Sequence, residues 1–374
     1  MYSQQELDDA VAAGVISAKD ADALRAHVET QRSTAIPDEE QFRLITGFND
    51  IFVSIAAAIL LFAVGWIGQS IGQATHLYIS DNGELGPSFL APLAIAGTSW
   101  ALALFFTAKR RMALPSILLL LAFVGAVFAT GAFALVQVIG PNRFNGQHEL
   151  LGATVGGVSA AIAGVAAWLH WRRFQVPITV AAGAAAVAGL FLAIVLGIVQ
   201  PASAEAAKNL ILGFVLLLGI GVFLFAMWWD ASDRARITRR SDVAFWLHLL
   251  AAPMIAHPIF TLMGLNNGAV STGEALVVVG LYVLFGLTAL AIDRRALLVS
   301  ALAYVLYALT ELFKQFGAVE LNVALTALVI GSALLLLSAY WHQARRLVVT
   351  RLPSNLQERL PNLDRPAVAT QPAA

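Results

Sequence analysis

The chain has 374 residues, 59% of them hydrophobic and 12% charged, and its 23 Lys and Arg balance 23 Asp and Glu. Charge is about half as frequent as in an ordinary soluble domain, so most of the apolar surface must face lipid rather than fill one core. Zero net charge offers no field to draw nucleic acid, and the absence of Cys excludes disulfides, thiolate metal sites and cysteine nucleophiles.

The first 50 residues carry ten acids against Lys19, Arg25, Arg32 and Arg43. They lack a basic start followed by an apolar core, so no signal peptide is expected. Residues 3–31 read as a small helical hairpin. Ser3 and Glu6 match a capping box, Gly14 ends the first helix through the left-handed conformation, and Ser17 caps the second, with Asp20 and Asp22 near its positive end. Leu7, Val11, Leu24 and Val28 supply a narrow apolar face. Pro37 then opens a short amphipathic helix that stops at Gly47. Residues 1–47 are therefore expected to form a cytosolic unit.

Ten apolar stretches follow, each near the ~20 residues that cross ~30 Å of hydrocarbon. They fall near 51–72, 88–108, 113–139, 149–170, 176–199, 206–228, 243–264, 274–292, 296–316 and 321–341. The expected fold is all-α, a polytopic membrane protein of about ten transmembrane helices over residues 48–344. A basic, Pro-containing cytosolic tail, 345–374, is expected to follow. Basic residues alternate between the connections. One side carries Lys109-Arg110-Arg111, Arg172-Arg173, Arg234, Arg236, Arg239 and Arg240, then Arg294-Arg295, and finally Arg345, Arg346, Arg351, Arg359 and Arg365 in the tail; the other carries Arg143 and Lys208. This alternation predicts ten spans with both termini in the cytosol. Trp168, Trp171, Trp228, Trp229, Trp246 and Trp341 gather near the same rim, as interfacial anchors do.

Three spans carry features beyond hydropathy. Span four has Gly152, Gly156, Ala160 and Gly164 at every fourth position, a smooth face for close helix packing. Span seven holds His248, Pro253, His257 and Pro258. Each proline frees a backbone carbonyl, so a bend or partial unwinding is expected, of the kind that builds transport sites. The histidines are nine positions apart, or about 900° of turn, and face opposite sides of an unbroken helix; no shared metal site is expected. In span nine, Tyr304, Tyr307, Glu311 and Lys314 share one face. An acid against lipid is costly, so that face should point into the bundle, with Lys314 as the local partner of Glu311. Internal Pro92, Pro253 and Pro258 fall in corresponding spans of a five-plus-five division with oppositely oriented halves. No H-E-x-x-H, G-x-S-x-G or Gly-rich phosphate loop occurs, so no enzymatic activity and no cofactor are expected.

The stretch AAGVISAKDADAL, with its glycine, tight turn and capping Ser, and FRLITGFNDIF entering span one resemble a family of uncharacterised predicted bacterial membrane proteins. The resemblance covers about the first 75 residues. It implies a bacterial inner-membrane protein and carries no activity or site residues with it. The function expected from the residues is a small-solute permease with spans seven and nine near the pathway. The alternative is a non-transporting scaffold or regulator whose residues 1–47 bind a cytosolic protein.

Overall fold

The computed structural model describes residues 11–24, 48–81, 84–144, 149–234, 236, 238–263, 272–315 and 322–363, without the side chains at 81, 84, 149, 296, 311, 312, 314, 315 and 322. The chain divides into two units, residues 1–44 with 365–374 and residues 45–364. In the first, Gly14 turns the chain at φ +69°, donating its N–H to the Val11 carbonyl at 3.0 Å. Ser17 Oγ accepts from the Asp20 N–H at 3.1 Å, capping the next turn as the hydroxyl there predicts. The Ser3–Glu6 box and the helix expected after Pro37 lie outside the described residues.

The second unit holds ten helices at the places of the ten apolar stretches: α1 (Phe48–Ala74), α2 (Leu90–Phe106), α3 (Ala113–Ile139), α4 (Glu149–Phe174), α5 (Ile178–Val199), α6 (Ala204–Ala231), α7 (Arg239–Leu262), α8 (Thr272–Ile292), α9 (Ala296–Gln315) and α10 (Asn322–Ala339). Seven are long and apolar enough to cross a bilayer by themselves. α10 reaches that length only when taken together with α11 (Trp341–Val349), which turns from it by 77°. α2 and the apolar part of α9 are shorter. The protein is a helical, multi-pass integral membrane protein.

The packing is inside-out relative to a soluble bundle. On α1 the buried stripe is Ser54, Ala57, Leu61, Gly65, Gly68 and Gly72, whereas Phe52, Ile59, Phe62 and Trp66 are exposed. Small residues let backbones approach, and lipid solvates the large side chains just as well as a core would. Consecutive helices pair among the main contacts except α7 with α8, and next neighbours pair as α1 with α3, α3 with α5, α5 with α7, and α7 with α9. Among the main contacts, the two groups of five helices meet where α5 touches α6 and α7. The largest buried cluster lies between α7, α8 and α9 and includes Ala256, Phe260, Val278, Phe285 and Ala301; Trp341, Val349 and Leu360 extend it. Between α1 and α2, a short ribbon of β1 (Ser80–Asp81) and β2 (Glu84–Leu85) pairs Ser80 with Leu85. Gln69 fixes its return by donating to the Gly86 carbonyl at 2.9 Å and accepting from the Ser88 N–H at 2.8 Å.

α7 is continuous from Arg239 to Leu262 through both prolines, so of the expected bend or partial unwinding the unwinding does not occur. Neighbours accommodate the freed backbone: Pro258 leaves the Met254 carbonyl without its helical donor, and that carbonyl packs against Gly219 of α6. A Cβ at Gly219 would lie 3.0 Å from this oxygen and 2.8 Å from Met254 Cβ. The boundary expected at residue 344 also falls inside α11, and residues up to 363 belong with the bundle, where Leu360 and Pro361 are buried.

Candidate functional site

The face expected on span nine meets span seven through its first tyrosine. His257 Nδ1 and the Tyr304 hydroxyl form a short hydrogen bond between α7 and α9, and the Thr261 hydroxyl lies 3.5 Å from the same nitrogen. Tyr304 stacks on Phe260 with ring centroids 4.5 Å apart. One turn further along α9, Tyr307 is exposed; the side chains of Glu311 and Lys314 lie outside the described set. The hydroxyl of Tyr282 on α8 is buried against the same cluster and has no hydrogen-bond partner among the described residues. α7 and α9 are thus joined by a histidine, itself exposed, and a tyrosine, and α8 carries an unmet hydroxyl. Such polar groups in hydrocarbon cost several kcal/mol each unless something completes them.

His248 lies elsewhere. Nine positions from His257 on an unbroken helix, it turns to α6, where its Nε2 is 3.1 Å from Asp230 Oδ2 and both side chains are fully buried. Arg294, at the α8–α9 turn, completes the group. Its Nη2 donates to Asp230 Oδ1 at 2.7 Å and to the Ser241 carbonyl at 3.0 Å, and its Nε lies 3.4 Å from Asp230 Oδ2. The paired geometry of guanidinium and carboxylate is what makes a buried charge tolerable.

A second cluster sits beside it. Asp293 closes α8 in the left-handed conformation at φ 57°, which Asp tolerates better than most residues. Its carboxylate accepts from Arg236 Nη1 at 2.9 Å and from Trp341 Nε1 at 2.7 Å. Arg236 Nη2 also caps the α8 end by donating to the Ile292 carbonyl at 2.9 Å. Arg345 and Arg234 hold the terminal segment through its backbone, the first donating to the Pro361 carbonyl at 2.7 Å and the second to the Leu360 carbonyl at 2.9 Å. Sequence reading counted these arginines as loop charges that set orientation. The signal it passed over was the acid beside each basic turn, Asp230 before Arg234 and Asp293 before Arg294.

The small-residue face of span four is the contact of α4 with α5. Gly157 meets Ala193, Ala160 meets Gly189, and Gly164 meets Ala186, with Cβ positions 3.2–3.8 Å from the neighbour. Gly152 and Gly156 have open space where a Cβ would stand. A strict spacing of four advances 400° per step and drifts around the helix, so the contact line alternates four and three through Ala153, Gly157, Ala160, Gly164 and Ala167.

The chain matches no protein-family model, no curated protein and no solved structure.

Proposed function

We propose that the protein is a small-solute permease of the bacterial inner membrane, crossing it ten times with both termini cytosolic, and that the polar route runs along α7, α8 and α9. The observation that carries this reading is the His257–Tyr304 bond across α7 and α9, together with the unmet Tyr282 hydroxyl on α8. A buried polar group without a partner calls for water or a ligand to complete it, and His257, exposed on α7 at membrane depth, is costly there unless water reaches it. Glu311, farther along the same face of α9, is the proposed proton- or cation-responsive acid. The activity is non-enzymatic in this reading.

The absence of Cys provides the test, because one introduced thiol is the only one present. In proteoliposomes, Thr261→Cys and Tyr282→Cys should react with a small membrane-impermeant thiosulfonate. Reaction with a lipid-soluble maleimide alone would refute an aqueous route. The second reading is a scaffold or regulator acting through residues 1–47, supported by the acid excess of the N-terminal segment. Glu311→Gln separates the two. The permease reading expects loss of pH-dependent flux with the folded protein retained; the scaffold reading expects a change in stability alone.

A further inference from the structure

The 77° turn between α10 and α11 places α11 across the direction of the last span, at the rim where the basic connections gather. The helix is strongly two-faced. Trp341, Arg345 and Val349, one turn apart, are buried against the bundle, while His342, Arg346, Leu347 and Thr350 are exposed. Tyr340, at the bend, is 59% exposed and Leu347 is 55% exposed. A helix lying across the bundle end with an outward aromatic, an outward leucine and an outward arginine has the composition of one seated in the headgroup layer.

A cleft of about 620 Å³ opens on α11, lined by His342, Arg345, Arg346, Leu347, Thr350 and other residues up to Leu363. Its volume is within the range of about 300–1,000 Å³ typical of ligand sites. Arg345 and Arg346 supply its formal charges, and no acid is among the described lining residues. Leu335 and Leu336, on the last turns of α10, are exposed at 73% and 60%.

We propose that this cleft binds the phosphate of an anionic phospholipid, with Arg346 and His342 at the headgroup and an acyl chain along Leu347 and the outer face of α10. Binding adds to the contacts these side chains already make, and Arg345 stays on the Pro361 carbonyl. Basic pockets at a bundle rim recognise anionic headgroups through charge and phosphate geometry together, and each cation near the surface contributes about 1 kcal/mol, or about fivefold in affinity. The proposal does not depend on transport.

The test is native mass spectrometry of the full-length protein in micelles titrated with dioleoyl phosphatidylglycerol or dioleoyl phosphatidylcholine. The glycerol lipid should bind in preference to the choline lipid. Arg346→Gln should weaken it by about fivefold, Arg346→Lys should retain it within about twofold, and Arg172→Gln at another basic turn should leave it unchanged. Millimolar inorganic phosphate should not displace it, because the acyl contacts are missing. Equal binding of the two lipids, or unchanged binding in Arg346→Gln, would overturn the proposal. So would displacement by phosphate alone, which would make the cleft a site for a free anion.

Discussion

Replacing Arg294 by Met removes a guanidinium from the centre of the α6–α7–α8 junction and keeps an unbranched chain of similar reach. The structure sets the magnitude. Arg294 makes contacts of 2.7 and 3.4 Å to the two oxygens of Asp230 and a third of 3.0 Å to the Ser241 carbonyl, and its side chain is only 3% exposed. Without it, the Asp230 carboxylate stays fully buried with His248 as its one remaining partner in this group. Breaking a buried pair from one side costs about 3–5 kcal/mol, because the other charge is left uncompensated. Met can still pack near the Phe245 ring, which Arg294 now faces at 5.8 Å, so little of the loss comes from packing. Asp230→Asn combined with Arg294→Met removes both charges and leaves an amide to bond His248. The double variant should therefore be more stable than Arg294→Met alone, with a coupling of about 2 kcal/mol. Equilibrium unfolding in mixed micelles, followed by tryptophan fluorescence, measures both. A loss below about 1 kcal/mol for Arg294→Met, or simple additivity in the double variant, would refute the buried-charge argument.

Two further substitutions probe separate contacts. Gly219→Ala puts a methyl 2.9 Å from the Met254 carbonyl carbon and should destabilise the α6–α7 pair by about 1–3 kcal/mol in the same unfolding assay, whereas Gly213→Ala, which meets open space, should be near neutral. Asp293→Asn keeps a residue that tolerates the left-handed turn but weakens the bonds to Arg236 and Trp341; limited trypsinolysis should then cut after Arg351 or Arg359 several-fold faster than in the wild type.

The positions of the ten helices were legible because hydropathy is a property of long stretches, and a span of 20 apolar residues has few alternatives. Helix α7 shows where local rules stop. Pro253 and Pro258 correctly announce lost donors, but whether a helix unwinds depends on the neighbour, and Gly219 lies 35 positions upstream of the carbonyl it packs against. The His257–Tyr304 bond was legible in part, since Tyr304 sat on a face expected to turn inward, whereas His257 is exposed. The pairing of Asp230, His248 and Arg294 was not, because it joins the ends of α6 and α8 to the interior of α7, and their proximity is set by the order in which hairpins pack. The arginines carry one signal in sequence and two roles in structure. A count of loop charges reads orientation, while burial beside a carboxylate, as at Arg294 and Arg236, is a tertiary fact. The four-residue stripe of α4 was read on the wrong line at Gly152 and Gly156 for a geometric reason, since 400° per step does not stay on one face.

The ten-crossing arrangement is the central claim: α2 must cross for the basic turns to share one side, and α9 and α10 must cross as a pair. Reporter fusions in a bacterial inner membrane test it directly. Fusions after Arg111, Arg240, Arg295 and Gln343 should all report the cytosol, and those after Gln147, Asn267 and Ala318 should report the outside; a cytosolic signal after Ala318 would show that α9 and α10 do not cross. An outside signal after Arg240 or Arg295 would contradict the account, since it would require one of the short helices to remain on a single side of the membrane.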